Sequence, residues 1–228
     1  KKLDWAYDRI RPLRRTDPAA QAMLEQTNPR AGRTAAYLRD FAAYPVYSGT
    51  NVKFYASGEA VFPDLLEALE SAQKSILLEF FIISKGKMWD AVHDVLRRKA
   101  AQGVDVRLMM PGIPDHWFAY QVAQSYFPEL TGHHVKIYTY TPGLIHGKTV
   151  MVDREAAFVG SVNMDFRSFQ LHFECGELLY RMPAIESLLE DMDNIIQNSQ
   201  PVTPARMAAR PWYLRVVGVV LRLFAMWM

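Results

Sequence analysis

Apolar positions along the chain change their period in a repeating order. Val52-Lys53-Phe54-Tyr55 reads as a short strand, Gly58 as a turn, and Pro63 to Ala72 sets Leu65, Leu66, Leu69 and Ala72 at helical spacing. Ser75 to Ile83 reads as a strand. Met88 to Gln102 reads as a helix closed by Gly103, and the alternating Val104-Asp105-Val106-Arg107-Leu108 as the next strand. Further on, Phe118 to Phe127 predicts a helix and Val135 to Tyr140 a strand. Gly147 to Val152 and Ala156 to Val159 predict a strand pair, and Ile185 to Gln197 a closing helix. The class expected is α/β, a mixed β-sheet flanked by helices on both faces.

The two ends differ from this body. Residues 1 to 45 mix Arg, Pro and Ala with scattered aromatics and read as an N-terminal helical extension, leaving 46 to 200 as the main domain. In the last part, 201 to 228, Pro211 sits at a favourable first-turn position. Arg215 and Arg222 are seven apart and so share a helix face, while Trp212, Tyr213, Trp227 and aliphatics fill the rest. That pattern suits a helix lying in a membrane interface with its arginines on lipid phosphates. A helix packed in the core or at a dimer contact is the other reading. Two charges in so short a run argue against a full span. With Lys1 in place of Met the chain is expected to be a portion of something longer, and no apolar run of ~20 residues interrupts it.

Composition narrows the chemistry. With 26 basic against 24 acidic residues the net charge is +2, too little for the field of a general nucleic-acid binder, so no nucleic-acid partner is expected. Cys175 is the single cysteine, which rules out an intrachain disulfide and a thiolate-rich metal site. The pairs Asp115-His116 and His133-His134 lack metal-ligand spacing and read as solvated loops. His93 and His172 read as structural or substrate-lining, so neither a metal nor another cofactor is expected.

The chemistry concentrates in His146-Gly147-Lys148, Asp153, Gly160-Ser161-Val162-Asn163 and Asp165-Phe166-Arg167-Ser168. Strand side chains alternate, so His146 and Lys148 project from one face with no bulk between them. Ser161 and Asn163, again two apart, can aim a hydroxyl and an amide at the same oxygens. The set suits a phosphodiester: His146 attacks phosphorus while Lys148, Ser161 and Asn163 hold the non-bridging oxygens. Taken singly, Lys148 could be a solvated lysine, Asn163 or Asp153 a turn residue and Asp165 a helix cap. Their joint spacing is what separates them from those readings.

That spacing, His-x-Lys, four residues, Asp, six residues, Gly-Ser-x-Asn, resembles the signature of the phospholipase D superfamily. The resemblance implies a phosphohistidine on His146, phosphate contacts from Lys148 and Asn163, and an Asp153 in the catalytic motif that mainly supports it. It also implies that Glu174 orients the imidazole. Pro111 to His116, Tyr138 to Gly143, Asp165 to Phe169 and Phe173-Glu174 resemble the second half of bacterial cardiolipin synthases. Residues 50 to 84 resemble the opening of the first half. Such synthases carry two His-x-Lys motifs and this chain carries one. The resemblance therefore implies a homodimer that brings two His146 together over one phosphate. It further implies a phosphatidylglycerol substrate and peripheral residence on the cytoplasmic side of the bacterial inner membrane. Tyr138, Tyr140, Phe166, Arg167 and Phe169 are expected to line the substrate path, with core roles as the alternative. A hydrolytic phospholipase D and a single-motif nuclease are the rival activities. A catalytically silent membrane-binding module is a third reading, disfavoured by the intact motif.

Overall fold

The computed structural model of the chain describes residues 17–42, 44–49 and 53–227, with side chains through Phe224. Residues 1–16 of the expected extension, Val52 of the expected first strand and the Trp227 side chain lie outside the described residues. The chain divides between Phe54 and Tyr55 into two compact units. The first holds a helical hairpin, α1 (Pro18–Thr27) and α2 (Pro29–Ala42). Asp17 caps α1 by accepting the Ala20 N–H at 2.9 Å. Gly32 permits a close helix crossing, since a Cβ there would meet the Glu25 backbone at 2.7 Å. Lys53 to Tyr55 form no strand.

The second unit opens with α3 (Gly58–Ser71), which starts ahead of Pro63 because Ser57 caps it, accepting the Ala60 N–H. There follow β1 (Ser75–Glu79), α4 (Lys87–Ala101), β2 (Asp105–Pro111), α5 (Trp117–Gly132) and β3 (Lys136–Tyr140). Next come β4 (Thr149–Val152), β5 (Ala156–Gly160), α6 (Phe166–Gln170), β6 (Gly176–Tyr180) and α7 (Ala184–Gln197). The unit ends with β7 (Ser199–Pro201), α8 (Pro204–Ala208), α9 (Trp212–Leu221) and a 3-10 turn, Arg222–Trp227. The strands form one sheet in the order β6-β5-β4-β1-β2-β3-β7. β1, β2 and β3 run parallel, and the remaining pairings are antiparallel, which makes the mixed sheet expected.

Each face of this sheet buries its own apolar layer. On one, Leu65 and Leu69 of α3, Trp89, Val92 and Leu96 of α4, and Val122 and Phe127 of α5 pack on Ile76, Leu78, Val150 and Val152. On the other, Ile185, Leu189, Met192 and Ile195 of α7 cover Leu77, Met109 and Met151. Burial of each such side chain contributes about 1.5–3 kcal/mol. Two strands escape the pattern argument: β7 is three residues long, and β6, at the sheet edge, leaves most of its side chains in solvent. The strand from Ser75 also ends at Glu79 rather than Ile83. Beyond it the chain leaves the ladder, with Phe80 N–H on Met109 O at 3.2 Å and Ile83 bridged to Met164.

Two carboxylates hold the central strands. Asp153, in the turn after β4 with φ of 51°, accepts the N–H groups of Gln73, Lys74 and Ser75, each at 2.7 Å, and so ties the turn to the entry of β1. Burial pushes its carboxyl up, but those three N–H donors outweigh this and hold it below the usual carboxylate range. Glu79 ends β1 opposite Thr149, and opposed residues in an antiparallel pair share a face, so its carboxylate lies on the face away from Lys148. It is 5% exposed and accepts the Gly147 N–H at 3.2 Å. A Cβ on Gly147 would overlap that carboxylate, so any residue other than glycine between His146 and Lys148 must displace the Glu79 side chain.

Asp153→Ala should lower the unfolding free energy by on the order of 2 kcal/mol, read by denaturant titration. Because the folded carboxyl titrates below its unfolded value, the stabilisation is present above pH about 4. It is lost as pH falls through the folded pKa, and the variant should show a shallower acid loss. Gly147→Ala should cost about 1–3 kcal/mol. Combined with Glu79→Ala the penalty should be clearly less than additive, because removal of the carboxylate opens the space the methyl needs.

Candidate active site

β4 begins at Thr149, so His146 and Lys148 lie not in the strand but in its extended lead-in. The alternation expected of a strand still holds: Lys148 is 3% exposed, on the face of Val150, while His146 is open to solvent. Lys148 Nζ donates to the carbonyl of His146 at 2.7 Å and lies 5.3 Å from the centre of the Phe81 ring. The same ring stands 4.6 Å from the His146 imidazole. The pattern places Phe81 in a strand; because β1 ends at Glu79, it becomes instead the floor under both groups.

The electrostatics favour a neutral imidazole beside a buried lysine. Burial pushes the His146 pKa down and the Lys148 charge adds to this, with Asp115 acting weakly against them. Burial also lowers Lys148, while Glu174, Glu79 and Asp165 pull its pKa back up. A lysine so placed is a cation short of solvent that gains from an incoming anion.

The second part of the motif is tied to the first by backbone. Gly160 N–H donates to Lys148 O at 3.1 Å, and a Cβ on Gly160 would meet Cys175 O at 2.5 Å. Asn163 receives the Ile82 N–H on Oδ1 at 3.1 Å, while its own N–H donates to Ser168 Oγ at 3.2 Å. Asp165 in turn accepts the Ser168 N–H at 2.7 Å and caps α6. With its oxygen committed, the Asn163 amide presents its nitrogen on the other side, the donor end a phosphate oxygen needs.

Other expected site residues fall elsewhere. Ser161 does not present a free hydroxyl: it donates to Cys175 O at 3.3 Å and accepts the Cys175 N–H at 3.0 Å, joining β5 to the entry of β6. Glu174 lies 3.3 Å from His172 Nδ1 and its charge acts on Lys148; among the described residues no hydrogen bond joins it to His146. Asp153 is separated from Lys148 by the whole of β4, roughly 16 Å of strand, so it anchors the sheet and cannot act in catalysis. Tyr138 and Tyr140 are half-buried against the α7 layer, on the sheet face away from Lys148, and so do not line a path to it. Phe169 likewise packs edge-on to Phe62 at 5.9 Å. Phe166 is half-buried, and Arg167 is exposed with its carbonyl holding the Leu171 and His172 N–H groups.

At the C-terminus α9 lies along α5. A Cβ on Gly218 would meet Gln121 O at 2.7 Å, and Arg222 donates to Ser125 Oγ at 2.6 Å and stacks 3.8 Å above the Tyr126 ring. Arg222 is therefore spent inside the fold and cannot also grip a lipid phosphate, whereas Arg215 and Trp212 stay exposed. No helix among the described residues is long and apolar enough to cross a membrane.

The family described as cardiolipin synthase, PLD-like domain, matches residues 65–196. The chain is 35% identical over 159 residues to the cardiolipin synthase of Halalkalibacterium halodurans, covering 69% of this chain and 31% of that protein. It spans about a third of the length of the curated relatives it matches. Nuc, a phospholipase D family member from Salmonella typhimurium, superposes with a TM-score of 0.53 at 22% identity, over 64% of this chain and 93% of Nuc. The phosphatidylserine synthase of Haemophilus influenzae gives 0.58 at 15%, over 89% and 54%. At those identities the two structures speak for the fold alone. With the domain match spanning the His146 motif and a seven-stranded mixed sheet beneath it, the chain belongs to the cardiolipin synthase-like branch of the phospholipase D superfamily.

Proposed function

We propose that the chain transfers a phosphatidyl group from one phosphatidylglycerol to another, giving cardiolipin and glycerol, through a phosphohistidine on His146. The observation that carries this reading is the pairing of an open imidazole with the buried Lys148 ammonium around Phe81. His146 attacks phosphorus as the neutral base, and the glycerol oxygen leaves with its electron pair. Lys148 and the Asn163 amide take up the charge on the non-bridging oxygens. The incoming hydroxyl of the second lipid then displaces the imidazole and restores it.

A histidine bonded to phosphorus cannot also hand a proton to the leaving alkoxide, so a second imidazole is required. A two-fold pair of chains supplies it, since an isologous contact sets one His146 against its copy. The edge strand β6 and the turn before it offer such a contact, with Leu171, Phe173, Leu178, Tyr180 and Met182 exposed beside the Glu174 segment.

The substrate is presented at a bilayer. On α9, Trp212, Val216 and Val219 fall at helical spacing on one exposed face, away from Gly218, and Leu223 of the following turn is exposed as well. That apolar face, with Arg215 beside it, is proposed to lie on an anionic membrane surface.

Phosphatidylglycerol vesicles should yield cardiolipin and glycerol without added metal, and His146→Ala should abolish both. Acid-quenched wild-type protein should carry phosphorus on His146. Phosphatidic acid as the sole product would make the chain a hydrolase. Because burial and Lys148 hold the imidazole below its ordinary value, the rate should persist to below pH about 6.5 before falling on the acid side. In flotation with anionic vesicles, Val216→Asp with Val219→Asp should reduce binding at least tenfold without disturbing the thermal transition.

A further inference from the structure

Beside His146 the fold leaves a shallow cleft that the reaction above does not use, about 20 Å³ of it enclosed and the rest open to solvent. Phe81, Ile113, Asp115, His116, Tyr120 and Gln124 are among its walls. It lies past the C-terminal ends of β1 and β2, where open α/β sheets bind their ligands. Phe81 is the shared wall between the two imidazoles: its ring is 4.6 Å from that of His146 and 6.2 Å from that of His116. Asp115 Oδ2 lies 3.8 Å from His116 Nε2 and close enough to His146 for its charge to act on that imidazole.

The loop that carries this pair is fixed at its root. Gly112 N–H donates to Tyr140 O at 2.6 Å, and a Cβ on Gly112 would meet that same oxygen at 2.5 Å. Tyr120, on the first turn of α5, donates its hydroxyl back to Gly112 O at 3.3 Å. Asp115 and His116 are thus held at the cleft instead of trailing from it, and both keep their polar ends in reach of a ligand, with side chains 54% and 70% exposed.

Aromatic and aliphatic walls with one carboxylate acceptor and one imidazole suit a small neutral group bearing two adjacent hydroxyls. A phosphate would be repelled by Asp115 and is already matched to Lys148. An aminoalcohol would meet the Lys148 cation nearby, whereas a diol has no charge to balance. We propose that Asp115, His116 and Phe81 form a headgroup subsite that holds the diol of a glycerol moiety beside His146. This rests on the phosphatidyl-transfer reading. In the transfer step the acceptor's primary hydroxyl attacks phosphorus, the new O–P bond forms and the P–N bond to His146 breaks. The hydroxyl proton passes to the imidazole of the second copy. The subsite grips the neighbouring hydroxyl, moves no proton, and gives the alcohol an advantage over water.

The test uses Asp115→Asn and His116→Gln in the full chain, both near-isosteric and on an exposed loop. Ligand-detected NMR with glycerophosphoglycerol should show binding to the wild type, weakened about tenfold in each variant, and weaker binding of glycerophosphoethanolamine throughout. In phosphatidylglycerol vesicles the ratio of cardiolipin to phosphatidic acid should fall about tenfold in each variant. A merely structural role would lower both products together and leave the ratio unmoved. An unchanged ratio in both variants, no binding of glycerophosphoglycerol by the wild type, or equal binding of the two headgroups overturns the subsite. Diol binding that is lost in the variants while the wild type turns over no lipid would uphold the subsite and sink the transferase reading.

Discussion

The arrangement depends on a lysine ammonium that the fold has removed from water. Lys148 is 3% exposed and bonded to the carbonyl of the histidine it serves. Burying a charge with only a carbonyl and distant carboxylates costs several kcal/mol, so the surrounding structure must hold it there. Sheet burial supplies that hold: Val150 and Val152 sink into the α3–α5 layer and carry the residues before them to the same face. In the proposed reaction a phosphate oxygen arriving at Lys148 would replace the solvent the fold took away. Strand burial would then serve transition-state binding without any further device.

The same constraint explains the glycine in the motif. Since side chains alternate in the lead-in to β4, the residue between His146 and Lys148 faces the other side of the sheet, where Glu79 ends β1. Burial raises the Glu79 pKa and Asp191 adds to this, against the Gly147 N–H and Lys148, which pull it down. The carboxylate thus sits behind the backbone of the His146 segment, close enough to act on Lys148. Its geometry fits a positioning role: it fixes the Gly147 amide, and with it the carbonyl of His146 that Lys148 holds.

Much of this could be read from residues in order, because the information was periodic. The helices at Lys87–Ala101 and Ala184–Gln197 and the strands at β2 to β5 follow from apolar spacing, and the motif follows from its intervals. What escaped was set by non-local contacts. The tyrosines of β3 alternate correctly, but which face each meets depends on α7, which lies far along the chain. Ser161 and Cys175, fourteen residues apart, form their reciprocal bond only when β5 and β6 pair. Arg222 was legible as a member of a helix face, but not as the residue that clamps α9 to Ser125 and Tyr126.

The inward turn of Arg222 changes what the terminal helix can do. A helix held to a membrane by its two arginines would turn the face of Arg222 outward. With Arg222 locked on α5 and Gly218 pressed against Gln121, the rotation is fixed the other way, and Val216, Val219 and Leu223 face out. In the proposed membrane contact the apolar stripe is the contact surface and its burial in lipid the driving term, with electrostatics reduced to Arg215. α5 also begins at Trp117, beside His116 and the cleft next to His146. In the proposed bilayer contact, a helix clamped along α5 would couple the angle at which the domain meets lipid to the element that borders the cleft.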